Sequence, residues 1–185
     1  SKPLDELKAE IAALDAAGYR EIVLVGINLS AYGQECGLTL CDAVDAACAS
    51  PGISRVRLGS LEPDRMDDAT LQRLAAQPKL CPQFHLSLQS GCDATLRRMN
   101  RHYTAAEYAA LCARLRKIFP NCSLTTDVMV GFAGETDSEF RESLEFVRQI
   151  AFAKVHVFPY SVRPGTAAAT RTDQIPSAIK ESRTH

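Results

Sequence analysis

Apolar residues recur along the chain in two alternating patterns, one typical of helices and the other typical of strands. A first helix is predicted by apolar residues at helical spacing, followed by a typical glycine stop: Leu4, Leu7, Ile11, Leu14 and Gly18. The unbroken apolar run Ile22 to Val25 lies in a strand predicted over 21–28, and such runs are expected where both faces of a strand are buried.

The same alternation continues to about residue 160. Capping boxes begin two later helices, at Thr104 with Glu107 and at Thr136 with Glu139. The predicted helices lie near 38–49, 67–76, 104–118 and 136–150, and the predicted strands near 54–60, 83–90, 123–131 and 154–160. Repeated strand–helix units predict a parallel sheet with helices outside it.

The later strands carry different residues on their two faces. Alternate positions predict one aliphatic face, made by Phe84, Leu86, Leu88, Val128, Val130, Val155 and Val157. The opposite face is polar or titratable, with His85, Ser87, Gln89, Thr125, Asp127 and His156 beside Met129, Phe158 and Tyr160. A doubly wound sheet favours apolar residues on both faces, so the pattern favours an α/β fold of another kind, a partial, open parallel βα barrel with a polar lumen.

Composition argues against some classes of protein but indicates no particular function. The 185 residues are 46% apolar and 23% charged, with a formal net charge of −1, which gives no electrostatic reason for nucleic-acid binding by this chain alone. No apolar stretch approaches the roughly 20 residues of a membrane span, and no signal peptide opens the chain. Seven cysteines cannot all pair internally, which predicts reduced thiols in a cytoplasmic protein.

The most informative segment runs from Thr125 to Glu135. It predicts a strand that ends in a glycine-bounded turn and leads at once into a capped helix. Asp127 lies within the strand, and a carboxylate there implies a polar cavity beside it, because an unpaired buried carboxylate is costly. An ordinary strand–helix junction with one satisfied aspartate is the plainer alternative.

Polar turns also follow the other strands, in a characteristic order along the chain. The segments concerned are Gly26-Ile27-Asn28 with Tyr32-Gly33, Leu58 to Pro63, His85 to Gly91, Leu96 to Thr104, Asp127 to Glu135 and Tyr160 to Thr166. Through them the chain, from Pro3 to about Arg183, resembles the radical S-adenosylmethionine methylthiotransferases, most closely the branch that acts on threonylcarbamoyl-adenosine in tRNA.

The resemblance implies a radical chemistry in which an iron–sulfur cluster reduces S-adenosylmethionine and a methylthio group is inserted into the substrate. Carried across by position, Gly26 and Asn28 match the turn near the methionine amino group. Ser87 and Gln89 match the strand end that faces the ribose and the reacting centre. Arg101 is the expected partner of the methionine carboxylate, since a guanidinium holds a carboxylate through two parallel bonds.

The adenine is expected beside the Asp127 to Glu135 run. Asp127 precedes the turn that Gly131 and Glu135 delimit, and Phe158 with Tyr160 matches the strand that closes the pocket. No catalytic residue and no metal ligand is identified.

Plainer roles are open for several of these positions. Arg101 could be a solvated residue before a helix cap, and Gln89 could satisfy buried backbone groups. Tyr32 is as compatible with packing as with substrate contact, and His85 and His156 are more typical of hydrogen-bonded core histidines.

The chain departs from the family pattern in two places. Ala133 stands where the family usually has proline, which should loosen the turn. More importantly, the cluster-binding C-x-x-x-C-x-x-C triplet is absent, because Cys36 and Cys41 are separated by four residues and no third cysteine follows at the required distance. The chain is therefore expected to hold no [4Fe-4S] cluster and not to turn over by itself.

The resemblance implies a central piece of a longer protein. Residues 1–170 are expected to form a partial radical barrel that lacks its first strand and cluster loop, and 171–185 a linker toward an RNA-binding β-domain. The implied partner of the parent protein is tRNA, and an exposed strand edge would favour self-association of the piece. The alternatives are a cluster-free S-adenosylmethionine- or RNA-binding scaffold, and a methylthiotransferase of the isopentenyl-adenosine or ribosomal-protein branch.

Overall fold

The structure, a computed structural model, describes all 185 residues and has an α/β fold in which every paired strand described below is parallel. The helices are α1 (Leu4–Ala16), α2 (Leu40–Ala49), α3 (Asp68–Ala75), α4 (Asp93–Arg98), α5 (Ala105–Ile118), α6 (Asp137–Ile150) and α7 (Ser177–Thr184). The strands are β1 (Glu21–Leu24), β2 (Arg55–Leu58), β3 (Ser60–Leu61), β4 (Gln83–Leu86), β5 (Ser123–Val130) and β6 (Lys154–Pro159).

The chain divides into two compact units. The first comprises residues 1–86 and 113–123. In it β1 pairs with β2, from Glu21 opposite Arg55 to Leu24 opposite Leu58, and β3 pairs with β4. The inward residues of β1 and β2 are buried with the apolar residues of the neighbouring helices: Ile22, Leu24, Val56, Leu58, Ile11, Val44 and Ala47.

The second unit comprises residues 87–112 and 124–185. Here β5 pairs with β6, with Asp127 opposite His156 and Met129 opposite Phe158. Buried and half-buried residues alternate along the whole of β5, as a strand with one apolar and one polar face requires. Gln89 extends the pairing beyond β4, since its backbone N–H donates to the Asp127 carbonyl at 2.9 Å and its carbonyl accepts from Met129 N–H at 2.9 Å.

Most predicted elements are confirmed within a few residues, and both capping boxes form. In α5 the Thr104 N–H donates to Glu107 Oε2 at 2.8 Å, and in α6 the Thr136 N–H donates to Glu139 Oε2 at 2.8 Å. Helix α6 ends at Ile150 as predicted, because the cap and the apolar spacing are both local signals.

Two predictions about the strands are wrong. Only one face of β1 is buried, since Val23 is 50% exposed and the strand ends at Leu24. The aliphatic face of β6 is not fully covered, because Val157 remains 39% exposed. Residues 171–185, expected to form a linker, contain the helix α7, and their role as a linker stays a prediction.

Two further findings concern the whole chain. The cysteines form no disulfide bond, as their odd number and placement predict. None of the helices combines the length and the apolar character that a membrane crossing needs.

Candidate functional site

The turn that follows β5 is closed by its own glutamate. Gly131 adopts a left-handed backbone with φ of 69°, and its N–H donates to Glu135 Oε2 at 2.7 Å. The Glu135 N–H donates to the Phe132 carbonyl at 2.9 Å, and Gly134 is also left-handed, with φ of 77°. Ala133 is fully buried within the turn, and the loosening expected from alanine at this position stays a prediction. A left-handed residue without a side chain is what this tight reversal requires.

The Glu135 carboxylate is buried in an ion pair with the C-terminal helix. Its side chain is 2% exposed, and Arg183 Nη1 of α7 lies 2.7 Å from Oε2. The other Arg183 nitrogen, Nη2, contacts Asp137 Oδ1 at 2.6 Å. Burial raises the pKa of Glu135, while the Gly131 N–H and the Arg183 charge oppose that rise. The carboxylate is thus committed to holding the turn and not exposed to a ligand.

A pocket of about 460 Å³ lies beside this turn, within the second unit. Its walls include Met129 of β5, Phe132 of the turn, Phe158 and Tyr160 at the end of β6, and Arg98 with Asn100 after α4. The Phe132 and Tyr160 rings meet edge to face, with centroids 4.9 Å apart. Tyr160 is 8% exposed, and its hydroxyl is buried without a hydrogen-bond partner in the protein.

This arrangement suits a flat heteroaromatic ring. Ligand pockets typically combine apolar and aromatic walls with a few placed polar groups that fix orientation. A buried tyrosine hydroxyl usually finds a partner, because leaving it unpaired costs about 1–3 kcal/mol. The Tyr160 hydroxyl is thus a buried polar group beside the pocket that the protein itself leaves without a hydrogen-bond partner.

Arg98 is fixed at the pocket by a charged partner on α6. Its Nη1 and Nη2 donate to Glu139 Oε1 and Oε2 at 2.9 and 2.6 Å, so the contact is bidentate. Glu139 also accepts from Thr136 N–H at the start of α6. The Arg98 hydrogen bonds, followed by the Thr136 N–H, hold the pKa of Glu139 below its ordinary value of 4.5 despite partial burial.

We expect Glu139→Gln to lower the free energy of unfolding by about 1–2 kcal/mol at pH 7, because the charge-assisted hydrogen bonds to Arg98 are partly exposed to solvent. Because the pKa of Glu139 is lowered in the folded state, its ionised carboxylate stabilises the fold above the unfolded-state pKa of 4.5. This stabilisation is lost as the pH falls through the folded-state pKa. Urea unfolding from pH 7 to 3 should thus show the gap between wild type and variant shrinking below about pH 4.5. Glu145→Gln, on the exposed part of the same helix, is the control and should change the free energy of unfolding by less than about 0.5 kcal/mol. A difference between wild type and Glu139→Gln that does not depend on pH would contradict the role given to the Glu139 carboxylate.

Four more of the sequence-predicted residues lie in the second unit. Ser87 is buried, and its carbonyl accepts from the Tyr103 hydroxyl at 2.8 Å. Gln89 is buried with a left-handed backbone, and its backbone pairing places it beside Asp127. Asp127 is half-buried in β5, and Arg101 is half-buried after α4. These are backbone bonds, so both roles considered for Gln89 stay predictions.

Gly26 and Asn28 lie in the first unit, just after β1. They line a pocket of about 550 Å³ that also includes the exposed side of β1. A Cβ atom on Gly26 would lie 3.6 Å from its nearest neighbour, Leu29 Cα, so packing does not require glycine there. Tyr32 lines the same pocket, and its hydroxyl donates to the Lys2 carbonyl at 2.9 Å, a packing role.

No cluster of metal-binding side chains is assembled. The structure contains no group of three or more histidine, cysteine, aspartate or glutamate residues that could hold a metal ion. Cys36 is exposed in a short 3₁₀ helix, whereas Cys41 is buried in α2.

The sequence interpretation missed two contacts of this site, both made by α7. Arg183 binds the turn, and Lys180 Nζ donates to the Tyr160 carbonyl at 2.9 Å. Basic residues in a polar terminal stretch are typical of a solvated surface, so the sequence carried no signal of their burial.

Comparison with known proteins shows which proteins this chain is similar to. The model of the radical SAM superfamily matches residues 1–147. The chain is 40% identical over 183 residues to the Thermotoga maritima protein named threonylcarbamoyladenosine tRNA methylthiotransferase MtaB, and covers 42% of it. It is also 40% identical over 191 residues to the Maricaulis maris tRNA-2-methylthio-N(6)-dimethylallyladenosine synthase, again covering 42% of that protein. In both comparisons 99% of this chain is aligned, so the chain spans less than half the length of these relatives.

A solved structure shows the same fold. Escherichia coli coproporphyrinogen III oxidase, described as a radical SAM enzyme, superposes on 98% of this chain and 42% of its own with a TM-score of 0.69 at 18% identity. The likeness confirms the α/β fold class that the strand pattern predicted and the radical SAM type that the resemblance implied. Together with the family match over residues 1–147, it establishes that this chain belongs to the radical SAM superfamily.

Proposed function

We propose that the chain is the central part of a tRNA methylthiotransferase that acts on N6-threonylcarbamoyladenosine, and that its second unit binds the adenosyl group of S-adenosylmethionine. The observation that carries the proposal is the 40% identity, over 99% of the chain, to a protein named for that activity. The pocket after β5 and β6 supports it, because its walls suit a purine ring.

The residues of this pocket fit S-adenosylmethionine. Phe132 and Tyr160 offer aromatic surface to the adenine, and the unpaired Tyr160 hydroxyl offers a hydrogen bond to one of its ring nitrogens. Met129 and Phe158 line the same space from adjacent strands. Radical generation is the chemistry that S-adenosylmethionine supplies when it is bound with a reduced cluster.

The residues present do not fit a [4Fe-4S] cluster. Such clusters are held by cysteine thiolates that meet at one point, and no such group is formed by the seven cysteines. We assign no step to a cluster in these residues, and we propose that its ligands come from outside residues 1–185.

The chain's own residues bind, orient and exclude water. The turn from Gly131 to Glu135 is fixed by its internal hydrogen bond and by Arg183, so it is rigid before the ligand arrives. A preformed apolar pocket shields reactive chemistry from water and lowers the cost of ordering on binding. Ser87, Gln89, Arg101 and Asp127 are proposed to contact the ribose and methionine groups, and the roles that the resemblance implies for Gly26 and Asn28 stay predictions.

Tyr160→Phe tests the adenosyl pocket. Removing one hydrogen bond between neutral groups should weaken S-adenosylmethionine binding about 3- to 10-fold, equivalent to about 0.5–1.5 kcal/mol. Stability should stay constant or rise, because the hydroxyl has no partner in the protein. Isothermal titration calorimetry measures the affinity, and Tyr19→Phe, at an exposed tyrosine of the first unit, is the control. An affinity unchanged by Tyr160→Phe would remove this residue from the site.

A second candidate substrate has its own support. The Maricaulis maris relative is equally similar in identity but is named for N6-dimethylallyladenosine. Mass spectrometry of tRNA nucleosides from cells that lack the gene separates the two. We expect the methylthio group to be lost from N6-threonylcarbamoyladenosine alone and to be restored by the intact gene. Loss from the dimethylallyl nucleoside would favour the second candidate. An unchanged nucleoside profile would contradict both candidates.

The partner and location follow from this proposal. We propose tRNA as the macromolecular partner, bound through the parent protein because this chain is nearly neutral. We also propose a cytoplasmic location. Self-association through the open edge of β1 stays a prediction, which the sedimentation of the purified chain would test.

A further inference from the structure

Two basic residues of α7 contact the two segments beside the pocket, the turn after β5 and the end of β6. Lys180 and Arg183 are three positions apart, so they lie on the same side of the helix. Arg183 binds the Glu135 carboxylate of the turn, and Lys180 binds the Tyr160 carbonyl. The Lys180 ammonium also lies 5.1 Å from the centre of the Tyr160 ring, on its face, within the range of a cation–π contact.

The approach of α7 to the turn is close. A Cβ atom on Gly131 would overlap Lys180 Cγ, so the glycine allows the lysine stem to lie directly against the backbone. Upstream of α7, the Gly134 N–H donates to the Asp173 carbonyl at 2.9 Å, and Arg171 pairs with the Asp173 carboxylate. Residues 171–184, here called the C-terminal segment, therefore contact the turn at both of its glycines.

The buried pair of Arg183 and Glu135 is costly to form. Both side chains are at least 94% buried, and desolvating two charges offsets most of the attraction between them. Replacing a buried ion pair by apolar residues of similar volume is often neutral or stabilising, so a buried pair is weak evidence of a role in stability. What the pair does supply is a fixed carboxylate orientation, which in turn fixes the Gly131 N–H and the Phe132 ring beside the pocket.

We propose that Arg183 and Lys180 are positioning residues, through which the C-terminal segment sets the geometry of the adenosyl pocket. This inference rests on the proposed function, because it assumes that the pocket takes S-adenosylmethionine. Arg183 sets the turn that bears Phe132, and Lys180 sets the backbone and ring of Tyr160. Neither residue touches the ligand in this account.

The test compares S-adenosylmethionine affinity with stability in matched variants. Arg183→Met should weaken binding at least 10-fold, and Lys180→Met about 3- to 10-fold, at a temperature where circular dichroism shows every variant folded. Arg73→Met is the control: Arg73 belongs to the first unit and pairs with Asp42 and Asp45, so its loss should affect stability and leave affinity within 2-fold of wild type.

A second readout needs no ligand. The Gly131 amide proton, which donates to a carboxylate, should exchange with solvent at least 10-fold faster in Arg183→Met and at the wild-type rate in Arg73→Met. Arg183→Lys, which keeps the charge, should restore part of the protection. If Arg183→Met does not fold, Lys180→Met decides, since Lys180 is only half-buried. Wild-type affinity in the folded Arg183 or Lys180 variants would overturn this inference, whereas failure of the wild-type protein to bind S-adenosylmethionine would overturn the proposed function instead.

Discussion

Tyr108→Ala is expected to lower the free energy of unfolding by about 3–5 kcal/mol, the usual range for deleting a fully buried aromatic side chain. Tyr108 of α5 is 0% exposed. Its ring meets the Phe146 and Phe152 rings edge to face, with centroids 6.2 and 6.1 Å away, and the Tyr103 ring lies 6.3 Å away. The substitution removes the centre of this aromatic cluster, and urea unfolding measures the loss.

Two variants control this result. Tyr108→Phe keeps the ring and removes the hydroxyl, which contacts Thr126 Oγ1 at 3.4 Å, so it should cost only about 1 kcal/mol. Tyr19→Ala, at an exposed tyrosine, should change stability by less than about 1 kcal/mol. A loss below 2 kcal/mol for Tyr108→Ala would contradict the packing described around α5.

Gly91→Val should lower the free energy of unfolding by about 3 kcal/mol, through overpacking. A Cβ atom on Gly91 would lie 2.6 Å from Phe146 Cβ and 2.8 Å from Phe146 Cδ1, closer than side chains can approach. The Gly91 N–H also donates to the buried Ser143 hydroxyl at 2.8 Å, which ties this backbone to α6 and prevents it from moving away. Thermal and urea unfolding both measure the effect.

Gly26→Ala is the matched control for the glycine. Its Cβ atom would meet no atom closer than 3.6 Å, so stability should change by no more than about 1 kcal/mol in either direction. Equal losses for Gly91→Val and Gly26→Ala would show that the contact with Phe146 is not the cause.

Local signals in the sequence predicted most of the fold. Helix α6 illustrates this, because Thr136 and Glu139 form the cap and the apolar spacing continues to Ile150. The turn from Gly131 to Glu135 was also recognised, since its glycines and its following cap are close in sequence. Signals of this kind depend on residues within one or two turns of each other, and a single sequence contains them directly.

Burial that depends on distant partners was not predicted. The apolar run of β1 fits a strand buried on one face as well as one buried on two, and only the fold shows that Val23 is half-exposed. Helix α7 is mostly polar, and its buried Arg183 pairs with Glu135, 48 residues earlier in the chain. The local sequence pattern therefore could not predict that the charge of Arg183 lies at the candidate site.

The sequence also could not predict that the Tyr160 hydroxyl lacks a hydrogen-bond partner in the protein. Phe158 and Tyr160 were predicted as pocket residues from the resemblance, and the structure places both on the wall that also contains Phe132. That the hydroxyl lacks a partner depends on every neighbouring side chain, including Lys180, which engages the Tyr160 carbonyl instead.

The most direct test of the central claim is a crystal structure of the protein with S-adenosylhomocysteine, a stable analogue that carries the same adenosyl group. The account predicts the adenine packed against Phe158 and against the paired rings of Phe132 and Tyr160, with a ring nitrogen within hydrogen-bonding distance of the Tyr160 hydroxyl and the turn unchanged. An adenine bound elsewhere, with the Tyr160 hydroxyl still unpaired, would contradict it.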